Sequence, residues 1–205
     1  VMQTGWKWFD NHYSYFTSSG AMKTGWLKEN DLWYYLDKEG VMLTGLQEIE
    51  GTRYYLNASG AMQTGWKWLD NHYYYFATSG AMKTGWFKDK DTWYYLDKEG
   101  IMLTGLQEID GSRYYLNTSG AMETGWKQLN GNWYYFQADG SLLRNGTTPD
   151  GYKVNQDGIW SLNPVREEKV QNHQEDPKKD SDKPVDKEEK SADAQETSTL
   201  KADKE

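Results

Sequence analysis

The chain has 205 residues, of which 37% are hydrophobic and 16% aromatic, so its apolar material is weighted towards rings and does not supply one ordinary aliphatic core. A net charge of -8 with a pI near 5.0 argues against nucleic acid, whose recognition normally demands a basic stripe. There is no cysteine, hence no disulfide framework and no thiolate metal site, and no apolar run approaches the roughly 20 residues of a membrane span. The start at Val1, without a basic-then-apolar leader, reads as a fragment or as the mature C-terminal part of a longer chain.

In chain order, Thr-Gly stands at 4–5, 24–25, 44–45, 64–65, 84–85, 104–105 and 124–125, a period of twenty without an insertion. A period of sixty is superposed: residues 1–60 and 61–120 differ mostly by exchanges such as Phe9 for Leu69, Glu50 for Asp110 and Thr52 for Ser112. Each repeat holds two short segments of strand-forming residues, for example "TGWLK" and "LWYYL", around a polar tip, which is the pattern of a β-hairpin. A turn such as "DKEG" or "NASG" follows, ending on a glycine at every twentieth residue from Gly20 to Gly140. One hairpin is marginal in water, so these must bury a face against their neighbours, which predicts an all-β solenoid of stacked hairpins. After Gly140 the text deviates, through "TTPDGYKVNQDGIW", as a cap does; beyond Asn163 it loses its aromatics and becomes dense in Lys, Asp and Glu. The expected organisation is a repeat array over 1–145, a terminal cap over 146–163 and a charged, disordered acidic tail over 164–205.

Aligned on Thr-Gly, a Trp follows the glycine at Trp6, Trp26, Trp66, Trp86 and Trp126, and seven residues later stand Tyr13, Trp33, Tyr73, Trp93 and Trp133. These positions lie on facing strands and predict two walls of one slot. Strand alternation sends Tyr34, Tyr94 and Tyr134 to the other face, towards the previous hairpin. A Met recurs at Met22, Met42, Met62, Met82, Met102 and Met122, and a flexible thioether suits the floor of such a slot. Rings without a carboxylate suit a quaternary ammonium, whose diffuse charge offers no N–H donor and is drawn to ring faces. Three contacts of about 0.5–2 kcal/mol each give a weak single site, and a repeated ligand would gain affinity through effective concentration. The third and sixth repeats replace both wall positions together, by Leu46 with Arg53 and by Leu106 with Arg113. A core position rarely accepts Arg, so the walls are expected at a surface groove, and these two slots are expected to be empty.

The motif running from Gly25 to Met42, and again from Gly85 to Met102, resembles the choline-binding (cell-wall-binding) repeat of streptococcal and related surface proteins. The resemblance covers Val1 to about Trp160. It implies a left-handed superhelix of hairpins that binds choline between repeats, with phosphocholine on teichoic or lipoteichoic acid as partner and a noncovalent attachment at the bacterial cell surface. Carried over, the cages are Trp6 and Tyr13 with Met22 and Tyr34; Trp26 and Trp33 with Met42 and Tyr54; Trp66 and Tyr73 with Met82 and Tyr94; and Trp86 and Trp93 with Met102 and Tyr114. Trp126 and Trp133 supply two walls of a fifth, where the next segment offers Ser141, Leu142 and Leu143 in place of Met. Trp8 and Trp68 share the strand face of the first walls and either extend the first and fourth slots or cover surface.

The three His, at equivalent hairpin tips (His12, His72) and in the tail (His173), make no metal site, and no nucleophile or phosphate-loop motif is present. The expectation is a binding module, with no catalysis, no cofactor and no membrane insertion, to which a hydrolase or esterase preceding Val1 could be joined. The alternative is a glucan-binding repeat, although stacking on sugars normally comes with polar side chains that hold the hydroxyls.

Overall fold

The computed structural model describes residues 2–160, and the expectations for the tail lie outside them. The elements are β-strands in paired hairpins, with no helix among the described residues. β1 (Gly5–Phe9) pairs with β2 (His12–Phe16), β3 (Gly25–Glu29) with β4 (Leu32–Leu36), β5 (Gly45–Ile49) with β6 (Thr52–Leu56), and β7 (Gly65–Leu69) with β8 (His72–Phe76). β9 (Gly85–Asp89) pairs with β10 (Thr92–Leu96), β11 (Gly105–Ile109) with β12 (Ser112–Leu116), and β14 (Gly125–Leu129) with β15 (Asn132–Phe136). The short β13 (Met122–Glu123) adds a third strand to the sixth hairpin. The hairpin solenoid expected from the period of twenty is the fold observed.

The hairpin tips explain the register. Asn30 and Asp31, with φ of 49° and 62°, both sit in the left-handed region, as do Asp10 with Asn11 and Asp70 with Asn71. Two such residues make the turn whose twist matches that of the flanking strands, and Asn, Asp and Gly tolerate it best. A two-residue tip at 30–31 places Trp26 opposite Tyr35 and Lys28 opposite Trp33. The Trp pair of this hairpin is therefore diagonal, on one face.

After each hairpin the chain reverses. Asp37 Oδ1 accepts the backbone N–H groups of Glu39 and Val41 at 2.9 and 2.8 Å, and Asn57 and Asn117 do the same in their repeats. Gly40 closes that turn at φ 76°, and a Cβ there would collide with the thioether of Met22. The recurring glycine thus answers two demands, a positive φ and the room for the preceding repeat's Met.

The core is a file of single residues. Leu36, Leu56, Phe76, Leu96, Leu116 and Phe136, each the last residue of a hairpin's second strand, have no exposed surface. Burial of each such side chain contributes about 1.5–3 kcal/mol, and the sum is built from contacts between neighbours. Backbone bonds stitch hairpins further apart: Met42 N–H donates to Tyr13 O at 2.8 Å, Met62 to Trp33 O at 2.7 Å, Met82 to Arg53 O at 2.8 Å and Met102 to Tyr73 O at 2.9 Å. At the end, β16 (Gly146–Thr147) pairs with β17 (Lys153–Val154). Ile159 bridges to Tyr134 and Trp160 to Val154, which lays this segment on the seventh hairpin.

Candidate functional site

Strand alternation points the first wall ring and the diagonal ring to one face. Trp26 and Trp33 stand nearly perpendicular with centroids 6.2 Å apart, as do Trp66 and Tyr73 at 6.4 Å and Trp86 and Trp93 at 6.5 Å. Directly opposite the first wall is a tyrosine that the sequence reading left out, and its ring buttresses the Trp: Tyr35 lies 5.2 Å from Trp26, Tyr75 5.1 Å from Trp66 and Tyr95 5.1 Å from Trp86. The third wall comes from the next repeat. Tyr34 is 5.0 Å from Trp6, Tyr54 4.9 Å from Trp26, Tyr94 4.9 Å from Trp66 and Tyr114 4.8 Å from Trp86.

The methionine assignment needs correction. The thioether expected beside each ring set, Met42 for Trp26 and Trp33, Met82 for Trp66 and Tyr73, and Met102 for Trp86 and Trp93, stands one repeat too early. The cavity of Trp26, Trp33 and Tyr54 is lined by Met62; that of Trp66, Tyr73 and Tyr94 by Met102; and that of Trp86, Trp93 and Tyr114 by Met122. The physical reason is the backbone stitch, since Met62 N–H bonds to Trp33 O and Met102 N–H to Tyr73 O. In the first slot the same bond brings Met42, not Met22, to Tyr13; Met22 lies against Gly40. Met62 and Met122, counted among the recurring methionines, were assigned to none of the four cages.

A roof completes each cavity. Ser79 lines the Trp26 slot, Thr118 and Ser119 the Trp66 slot, and Ala138 and Asp139 the Trp86 slot, all from the glycine turn two repeats after the walls. Carboxylates otherwise stand behind the rings: Trp66 Nε1–H donates to Asp89 Oδ2 at 3.0 Å, and Tyr15 O–H donates to Glu29 Oε2 at 3.2 Å. Burial, and then the Glu29 charge, hold the Tyr15 phenol above its usual pKa, so it remains a donor. Trp8 lies edge-on against Tyr13 at 4.7 Å and Trp68 tilted against Tyr73 at 4.6 Å, and the two are 59% and 57% exposed.

Residues 3–43, 63–104 and 103–146 match the choline-binding repeat, and residues 44–62 match a cell wall binding repeat. The chain belongs to the choline-binding repeat family. It is 41% identical to choline binding protein F from Streptococcus pneumoniae, over 78% of this chain and 58% of that one, with a TM-score of 0.72. With CbpJ from S. pneumoniae the identity is 42%, the coverage 78% and 58%, and the TM-score 0.73. The choline-binding domain of CbpL from S. pneumoniae is 24% identical and matched over its whole length (100%), with 80% of this chain aligned and a TM-score of 0.54, a likeness of fold. The chain spans 58% of the first two relatives. No curated protein matches the chain.

Within this choline-binding array the third and sixth repeats keep the hairpin and change the walls. Leu46 sits opposite Tyr55 and Arg53 opposite Glu48, in the register of the other hairpins. Arg53 Nε is 3.8 Å from Glu48 Oε2 and its Nη1 donates to Glu99 O at 3.4 Å; Arg113 Nε is 3.5 Å from Glu108 Oε2. The guanidinium of Arg53 thus reaches the roof turn of its own slot.

The cap remakes the last slot with different residues. Trp160 N–H bonds to Trp133 O at 2.9 Å, where other repeats use the Met stitch, and Tyr152 takes the place of the third-wall tyrosine. Trp126, Tyr152 and Trp160 touch pairwise edge-to-face at 5.6–6.3 Å, so the Trp160 indole stands in contact with two walls. Trp126 Nε1–H donates to Asp150 Oδ2 at 2.8 Å. Tyr152 and Trp160 were not among the expected residues; two aromatics spaced across a deviating last repeat were the available signal.

Proposed function

We propose that this module attaches its protein to the cell wall by binding choline in four slots, walled by Trp6 and Tyr13, Trp26 and Trp33, Trp66 and Tyr73, and Trp86 and Trp93. The third wall of each is Tyr34, Tyr54, Tyr94 or Tyr114. The observation that carries the reading is that three rings of two successive hairpins and a methionine of a third line one open cavity at Trp26, Trp66 and Trp86. A trimethylammonium group in such a cavity meets ring faces and a polarizable sulfur and needs no hydrogen-bond acceptor. Each site is weak, so attachment comes from several sites engaging a polymer that repeats phosphocholine, as teichoic and lipoteichoic acids do. The slots of Arg53 and Arg113 stay empty because a fixed cation repels the ligand. The slot of Trp126 and Trp133 is not counted among the four: Trp160 stands there in the place of the Met, and its indole contacts Trp126 and Tyr152. The module works at the extracellular face of the wall without covalent linkage.

The test is a choline titration of intrinsic Trp fluorescence and of heat, with sodium chloride and dextran as controls. Saturation with choline and tetramethylammonium at four sites is expected, falling to two in Trp26→Ala with Trp86→Ala. A flat response to choline with a response to dextran would replace this reading with a glucan-binding one.

A further inference from the structure

We infer that the four slots are chemically unequal, and that Asp139 makes the Trp86/Trp93 slot a site for ammonium groups that still carry N–H bonds as well as for quaternary ones. This rests on the slots being ammonium sites. The roof residue at the turn is Ser79 over Trp26 and Thr118 with Ser119 over Trp66, but Asp139 over Trp86, Trp93, Tyr114 and Met122. It is the one acidic residue lining these three cavities.

The carboxylate is ionised and held in place. Asp139 Oδ1 accepts the backbone N–H of Ser141 at 2.9 Å and its hydroxyl at 2.7 Å. Those hydrogen bonds hold its pKa below the usual value, against a smaller opposing effect of burial. With Oδ1 engaged by Ser141, Oδ2 has no protein donor among the hydrogen bonds around this turn. A slot of rings alone discriminates against a primary ammonium, which is strongly hydrated and loses its water without gaining an acceptor. Adding an anionic oxygen at the rim returns one charge-assisted hydrogen bond to such a group. A quaternary ammonium gains only the Coulombic attraction, which salt screens. The same turn position carries Glu99 where Arg53 fills the slot, so an arginine nitrogen already reaches this roof in the third repeat, through the Glu99 carbonyl oxygen.

The experiment uses the full chain and Asp139→Asn, which keeps the acceptor for Ser141 and removes the charge. Choline and ethanolamine are titrated separately by calorimetry at low and at 0.5 M sodium chloride, with Trp86→Ala as the background that deletes the slot. The expected result is one ethanolamine site in the wild type, weakened about tenfold by Asp139→Asn and absent in Trp86→Ala, with choline at one of four sites weakened on the order of threefold and only at low salt. Normal choline binding with ethanolamine and choline isotherms unchanged by Asp139→Asn overturns the inference and leaves the choline reading standing. A choline titration flat in the wild type overturns both.

Discussion

The second and third repeats fold alike and present opposite chemistry. In both, the first strand begins at the Thr-Gly glycine, the tip is two residues long, the closing turn is held by an Asp or Asn side chain, and the last residue of the second strand, Leu36 or Leu56, is fully buried. Yet the walls are Trp26 and Trp33 in one and Leu46 and Arg53 in the other, and Leu46 is still 44% exposed. The wall positions can therefore change without disturbing what holds the hairpin together. Stability lives in the file of buried Leu and Phe, and the proposed recognition would lie on the face where the rings stand.

That separation can be broken in three ways. The largest effect is expected from the core: Leu36→Ala and Leu56→Ala each cost about 2–5 kcal/mol, alike in the ring repeat and the arginine repeat, measured as loss of stability in urea. Trp33→Ala, at a half-exposed position, costs less than half as much; equal losses for Trp33 and Leu36 would make the walls core and end the distinction. Next comes a gain of site. Leu46→Trp with Arg53→Trp places two rings beside Tyr74 and beside Met82, whose backbone already bonds to residue 53, and one more choline should bind per chain by calorimetry. An unchanged stoichiometry would mean that the walls are insufficient.

The smallest effect concerns pH and the cap. Burial alone would raise the Asp150 carboxyl, but hydrogen bonds from Thr148 and from Trp126 Nε1–H outweigh it and set its pKa below the usual 3.8. A carboxylate depressed in the folded state contributes stability above its unfolded pKa, and that contribution is lost as pH falls through the folded value. The group is largely exposed, so the gain is small. Indole fluorescence of the cap should change below about pH 4 in the wild type, and Asp150→Asn should abolish that step while leaving the ring slots of the first five repeats unaffected.

Most of the architecture was legible because every local signal repeats. Thr-Gly at each twentieth residue, a polar tip between two strand-forming segments and a turn closed by glycine all point to one hairpin, and the paired loss of Trp and its partner in the third and sixth repeats marked the wall positions. The methionines were misplaced for a physical reason. Each repeat carries one, so the period alone cannot say which slot a Met serves; that is settled by a backbone hydrogen bond to a hairpin almost thirty residues upstream. The roof turns were invisible on the same ground, since Ser79 and Asp139 meet their slots across more than forty residues. Tyr152 and Trp160 escaped because the cap abandons the spacing by which every other wall was found.

The stitch from Met62 to Trp33 has a mechanical consequence. A slot whose sides belong to three consecutive hairpins is a clamp across them, and whatever occupies it resists their being peeled apart. If the slots hold choline as proposed, tension on a wall-bound chain would be borne where ligand and fold share the same side chains, so that pulling a hairpin away would mean emptying a slot first. The grip and the thing being gripped strengthen each other link by link, as in a chain whose rivets are its cargo.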